Sequence, residues 1–187
     1  MIHDSLNIMT VEDPVEYLLN GVNQIQVAPK IGLSFASGLR HIVRQDPDII
    51  LVGEVRDRET AEIAIQSALT GHLLFSTLHT NDAPGAITRL LDMRVENYLL
   101  SSTLLGILAQ RLVRVICPQC RQPATPDDRM LRSMNMEDEE LEQARFWEGA
   151  GCENCHYTGF RGRTAIFEYL PVDETIRRLV IARASTG

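Results

Sequence analysis

In the first half of this chain, carboxylates and histidines gather where apolar runs stop: Glu12, Asp13, Glu16, Asp46, Asp48, Glu54, Asp57, His72 and His79. Carboxylates grouped this way suit a hydrated divalent cation and a water oriented for attack, and an imidazole beside them can meet a phosphate or a carboxylate. The sharpest case is Glu54, which follows the apolar run Ile49-Ile50-Leu51-Val52 and Gly53. An ionised carboxylate delivered by a buried strand is costly unless it is used or paired, so Glu54 reads as a group that orients or deprotonates water. Asp48 and Asp57 are equally well explained as a turn residue and a helix N-cap. Glu12, Asp13 and Glu16 fit an exposed acidic turn as well as a cation site, and proximity to Glu54 would decide between the two. His72 and His79 bracket one apolar run, Leu73 to Thr77, where each could face a phosphate or a carboxylate; lone histidines are more often structural.

Sulfur carries the second chemistry. Cys117 and Cys120, in CPQC, are separated by 31 residues from Cys152 and Cys155, in CENC. Two C-x-x-C knuckles supply four thiolates to a tetrahedral Zn2+ at about 2.3 Å and leave no open position, so the site is expected to be structural. Spacing in close doublets argues against four free thiols. Cys152 to His156 also spells C-x-x-C-H, the haem-attachment pattern, but that chemistry belongs to exported proteins and needs no second C-x-x-C.

These groups need a scaffold that ends several strands at one edge. Asn7 to Val11 reads as a strand leading into Glu12-Asp13-Pro14, where the proline stops a central strand. A turn around Asn20 to Asn23 and an extended piece, Gln24 to Val27, come next. A helix from Phe35 to Arg44 then places Leu39, Ile42 and Val43 on one side. Ile49 to Val52, continuously apolar, reads as a strand buried on both faces. Glu59 to Leu69 reads as a helix stopped by Thr70-Gly71, and Leu73 to Thr77 as a third strand. Ala83 to Met93 and Glu96 to about Val115 read as two further helices. Strands alternating with helices indicate an α/β architecture with a mostly parallel sheet, whose ligands lie at the carboxyl ends of the strands. Beyond Val115 a Pro-containing and then acidic connector joins the two cysteine pairs, as expected of a small zinc-binding subdomain. Glu174 to Ala184 reads as a final amphipathic helix.

Bulk properties bound the function. With 187 residues and 44% hydrophobic composition the chain can bury a core. Eighteen Lys and Arg against 25 Asp and Glu give a net charge of -7, which favours neither nucleic acid nor an anionic membrane surface. The N-terminus has no basic region leading into a long apolar run, so no secretory signal is read. Tyr98 to Ile116 is the most apolar helical stretch, but Ser101, Ser102, Thr103, Gln110, Arg111 and Arg114 interrupt it, so it reads as a core helix in a cytosolic chain.

The ordered series TVEDPVEY, RQDPDIILVGEVRDRETAEIAIQSALTGHLLFSTLHTNDA, RLVRVICPQC and GCENCHYTGFRGRTAIFEYL closely resembles the ATPases that power type II secretion and type IV pilus assembly in bacteria. The resemblance covers nearly the whole chain. It implies an Asp box in TVEDPVEY, with Glu12, Asp13 and Glu16 on the Mg2+ and water side of the site. It implies a Walker B segment in GEVRD with Glu54 as the catalytic carboxylate, and a His box that places His72 and His79 near the γ-phosphate. Arg161 and Arg163 match a motif near the nucleotide base, although surface arginines are the default reading. The same resemblance implies a RecA-like fold, a homohexamer that uses ATP and Mg2+, and a cytoplasmic position on the inner membrane. The partners it implies are an inner-membrane platform protein and a cytoplasmic linker protein, with no nucleic acid. The cysteines favour assembly or secretion over pilus retraction.

One departure is large. The phosphate-binding loop G-x-x-x-x-G-K-[ST], which should precede the Asp box, does not occur in the sequence. Without its backbone amides and lysine the phosphates lose their main cradle, so the chain is expected to be a motor fragment that does not hydrolyse ATP alone. The expected organisation is a partial RecA-like ATPase domain over residues 1–116, a four-cysteine zinc subdomain over 117–170, and the start of a C-terminal helical region over 171–187. The alternative reading is a non-catalytic, zinc-stabilised interaction module of the same machinery.

Overall fold

Short runs of aliphatic residues build the first of two units, residues 1–109 with 168–187, while residues 110–167 form the second. The structure is a computed structural model that describes residues 5–134 and 136–183. In the first unit, β1 (Ile8–Glu12), β2 (Val22–Gln26), α1 (Phe35–Ile42), β3 (Ile49–Val52), α2 (Arg58–Leu69) and β4 (Leu73–Ser76) follow one another. The strands pair in the order β2-β1-β3-β4, every pair parallel, with Ile8 beside both Val22 and Ile49, and Ile49 beside Leu73. Parallel pairing brings all four carboxyl ends to the same edge. The expected mostly parallel α/β sheet is thus present, and the extended piece after the first turn is a full partner of β1.

Side-chain alternation decides where the core sits. Val11, Ile50 and Val52 are fully buried and pack with Leu39 and Ile42 of α1 and Ala61 and Ile65 of α2. Each such Val, Leu or Ile side chain contributes about 1.5–3 kcal/mol relative to exposure. Ile49 and Leu51, on the other face of β3, are half-buried, and Leu73 and Phe75 of β4 are exposed. The expectation that Ile49–Val52 is buried on both faces is therefore corrected: within this chain the helices cover one face.

Caps set the helix boundaries. Ser34 accepts from the Ser37 amide at the start of α1, and Asp57 does the same for Thr60 at the start of α2. Next come α3 (Ala83–Asp92), capped by Asp82, and α4 (Asn97–Thr103). The chain then departs from expectation. A helix continuing to about Val115 is replaced by β5 (Gly106–Ile116), because α4 ends where Leu104 turns extended. Gly106 disfavours further helix, and Val113, Val115 and Ile116 suit a strand. Leu108 and Leu112 are exposed on it, so this stretch is not a core helix.

After β5 come β6 (Arg121–Pro123), α5 (Asp128–Ser133), α6 (Asp138–Gln143), β7 (Trp147–Gly149) and β8 (Phe160–Pro171). β6 and β7 form an antiparallel pair, across which the Arg121 guanidinium lies 4.2 Å from the Trp147 ring. β5 pairs with β8; Cys117 N donates to Gly159 O just past one end and Val172 N to Leu105 O past the other, so the pair is antiparallel. The last element, α7 (Glu174–Ile181), packs on α4 and buries Val180. Ala184, the expected end of that helix, lies outside the described residues. Among the described residues no helix is long and apolar enough to cross a membrane.

Candidate functional site

The carboxyl edge of the sheet assembles the acidic cluster. Glu54 leaves β3 and is 8% exposed. Its Oε2 lies 3.0 Å from Nε2 of His79, and its Oε1 is paired with the Arg56 guanidinium. The Arg56 guanidinium holds the Glu54 carboxyl below its ordinary range; burial opposes that shift and His79 adds to it. The loop after β4 is fixed to the loop after β3 by Thr77, whose Oγ1 donates to Gly53 O at 2.6 Å and whose carbonyl accepts from Val55 N at 3.1 Å. This pairing delivers His79 to Glu54.

β1 approaches from the other side. Gly53 N donates to Val11 O at 2.8 Å, and a Cβ on Gly53 would lie 3.3 Å from the Cα of Glu12. Glycine is what lets the exits of β1 and β3 run so close. Glu12, the last residue of β1, accepts from Thr10 Oγ1 and from Gln24 Nε2 of β2, the latter at 3.0 Å. Asp13 is exposed, yet it is near enough to Arg56 to raise that guanidinium's pKa, secondary to Glu54. Glu54, Glu12, Asp13 and His79 therefore share one edge, with Arg56 paired to Glu54 and within electrostatic reach of Asp13. Glu16 is exposed in the loop that follows.

Several flagged residues lie elsewhere. His72 stands at the start of β4, the opposite edge, where its Nδ1 is 2.9 Å from Ser67 O and 3.1 Å from Thr70 Oγ1. It bonds the last turn of α2 and its C-cap Thr70, so the structure separates the two histidines that bracket β4. Asp57 caps α2, and Asp48 accepts from Asn7 N at 2.7 Å where β1 and β3 begin. Arg161 and Arg163 are exposed at i and i+2 of β8, on one side of that strand in the second unit. Arg56, Gln24 and Thr77 were missed. Arg56 is two residues beyond Glu54 in GEVRD, and that spacing was the available signal.

In the second unit the four cysteines converge. Cys117 to Cys120 turn after β5, while Cys152 to Cys155 close around a 3-10 turn, Glu153–Cys155. All four sulfurs lie within 4.8 Å of one another. Tetrahedral coordination at about 2.3 Å separates sulfurs by about 3.8 Å. The distances here are 3.9 Å for Cys117–Cys152, 3.8 Å for Cys120–Cys155 and 3.8 Å for Cys152–Cys155, with no disulfide, so the donor set fits one such ion. Burial pushes the Cys120 thiol up to about 12. Burial also acts on Cys155, but amides of Cys152 and Gly159 and the neighbouring sulfurs outweigh it and bring that thiol down to about 6. His156 is exposed and lies outside the cluster.

Residues 1–186 match the model of the family described as Type II/IV secretion system protein. The chain belongs to that family. Type II secretion system protein E of Dickeya dadantii is 55% identical to it over 174 residues, 93% of this chain and 34% of that protein. The type IV pilus assembly ATPase PilB of Thermus thermophilus is 53% identical over 179 residues, covering 96% of this chain and 20% of PilB. The chain thus spans about a third or less of the curated relatives it matches. Among solved structures, the pilus retraction motor PilT with bound ADP superimposes with a TM-score of 0.67 at 33% identity, covering 96% of this chain and 42% of PilT. The secretion-family resemblance and the α/β fold expected from the motifs are both met.

Proposed function

We propose that this chain is part of a hexameric ATP-hydrolysing motor that powers type II protein secretion or type IV pilus assembly, and that it supplies the metal and water side of the nucleotide site. The observation that carries this reading is the juxtaposition at one sheet edge of Glu54, Glu12, Asp13 and His79, on a chain whose relatives are secretion and pilus-assembly proteins. Glu12 and Asp13, with Glu16 in the loop beyond, are suited to hold water ligands of Mg2+. Mg2+ held there would supply positive charge to offset that of the phosphates. Glu54 orients the attacking water and accepts its proton, and His79 fixes the carboxylate's direction. Arg56 must move off Oε1 before that oxygen can accept a proton.

The phosphate cradle is not among these residues. The sequence holds one lysine, Lys30, and it follows Pro29 rather than a glycine-rich loop. ATP hydrolysis is therefore assigned to a polypeptide in which this chain is joined to such a loop. The four-cysteine unit would hold Zn2+ as a closed structural centre through Cys117, Cys120, Cys152 and Cys155. The motor would work in the cytoplasm against the inner membrane, engaging a platform protein and a cytoplasmic linker protein. Exposed Arg161 and Arg163 are proposed to face nucleotide in the assembled ring, and His72 to support the His-box segment from the end of α2.

The test compares Mg2+-dependent ATP turnover by the purified chain with that of a polypeptide extended through the reading frame upstream of Met1. The chain alone should be silent, and the extended form should turn over and lose activity with Glu54→Gln. Turnover that survives Glu54→Gln would reject the assigned role.

A further inference from the structure

The four cysteines leave a charge problem that points to a fifth residue. Four thiolates around a dication carry a net charge of two minus, and such charge is costly to bury without donors aimed at it. Cys117 is fully buried. Asn154 Nδ2 lies 3.5 Å from the Cys117 sulfur, 37 residues away in sequence. Main-chain amides also reach the sulfurs, those of Gln119 and Cys120 at Cys117, of Gly151 at Cys120, and of Cys152 and Gly159 at Cys155; among the described residues, Asn154 is the side chain whose N–H joins them, and it does so from the opposite knuckle. Asn154 belongs to the second knuckle and Cys117 to the first, so this bond crosses the centre. It ties one knuckle to the other at a buried sulfur.

We infer that Asn154 is a positioning residue of the metal centre: its carboxamide orients Cys117 and offsets the negative charge of a four-thiolate site that takes a soft divalent ion of the Zn2+ class. This rests on reading the four sulfurs as a metal site. A carboxamide suits the task because it donates at every physiological pH and adds no charge. Glutamate at neighbouring position 153 could not serve, since an ionised carboxylate only accepts.

The experiment uses the purified chain, stripped of metal and titrated with Zn2+ against a chromophoric chelator, and separately with Co2+ under reducing conditions. Asn154→Leu keeps the volume and removes the donor. It should weaken Zn2+ binding by about 10–100-fold, the usual effect of removing a partner of a metal ligand. It should also move the sulfur-to-cobalt charge-transfer band to lower energy, because the Cys117 sulfur loses a hydrogen bond. Asn154→Asp, which sets a carboxylate against the thiolate, should weaken binding at least as much, and Asn154→Ala, which removes the donor without the leucine's bulk, should show the same band shift if the leucine variant unfolds. Unchanged Zn2+ affinity in the alanine and leucine variants would overturn the proposal. So would weakened binding with an unshifted cobalt band, the signature of a merely structural effect. A wild-type chain that takes up neither metal would instead reject the metal reading itself, before any variant is compared.

Discussion

Oε2 of Glu54 sits 3.0 Å from Nε2 of His79 while Oε1 is taken by Arg56, so both oxygens of a nearly buried carboxylate are engaged by cationic or imidazole nitrogens. The engagement explains why burial, which alone would raise the Glu54 pKa, leaves it lowered. It also makes the cluster a pH-dependent part of stability.

A group with a depressed folded pKa contributes stability above its unfolded value, here 4.5, and loses it as pH falls through the lower folded value. Arg56→Gln should therefore lower the urea midpoint at neutral pH, and the gap to wild type should close as pH falls below 4.5 and Glu54 protonates. Because the Arg56 side chain is 59% exposed, salt should shrink the neutral-pH gap. Urea denaturation followed by circular dichroism checks both; a gap of equal size in acid would show that Arg56 acts through packing.

Metal removal should be felt locally. The second unit combines the short β6 and β7 and two six-residue helices with most of β5 and β8, and a metal on the cysteine cluster would crosslink its two knuckles. Adding a strong Zn2+ chelator should raise amide exchange at Cys120, Ala150 and Tyr157, whose main-chain bonds lie around the knuckles, while Val11 and Val52 keep their protection. Hydrogen exchange with mass spectrometry reads the difference, and loss of protection across β1 and β3 as well would mean that the metal stabilises the whole chain.

Thiol ionisation sets a second pH test. Near neutral pH Cys155, at about 6, is largely thiolate, whereas Cys120, at about 12, still holds its proton. Binding Zn2+ should release protons there, and affinity should fall more steeply once pH drops through about 6 because Cys155 must then also be deprotonated. Calorimetry in buffers of different ionisation enthalpy counts the protons. A heat independent of buffer would contradict this.

What the sequence revealed and what it concealed follow from range. The pairing of Glu54 was legible because four apolar residues before a carboxylate is a local contradiction that only use or pairing resolves, and the convergence of the cysteine doublets because two C-x-x-C pairs are spaced to meet around one centre. β5 was misread for a physical reason: Ile107, Leu108, Leu112 and Val115 satisfy a helical spacing, and a partner more than 40 residues away in β8 decides for strand. The one-sided burial of β3 was equally hidden, since an apolar run does not say whether both its faces find cover. His72 and His79 look symmetric about β4 in sequence, but in a parallel sheet the two ends of a strand lie on opposite edges.

The last prediction concerns how α1 holds the carboxylate edge in place. Gly38 lies in the middle of α1, where alanine would be favoured by about 1 kcal/mol on helix propensity alone. A Cβ there would sit 2.9 Å from Cγ2 of Val11, a fully buried residue that immediately precedes Glu12. Overpacking of this kind costs about 1–3 kcal/mol, so Gly38→Ala should be destabilising by roughly 1 kcal/mol net despite its better propensity. Val11→Ala removes the obstructing methyl groups at a cost of its own. In that background Gly38→Ala should become neutral or stabilising, giving a coupling of about 1–2 kcal/mol between two residues 27 positions apart. A double-mutant cycle by urea denaturation measures it. Additive effects would show that α1 does not rest on β1 through this contact, and that the position of Glu12 is set by β2 and β3 alone.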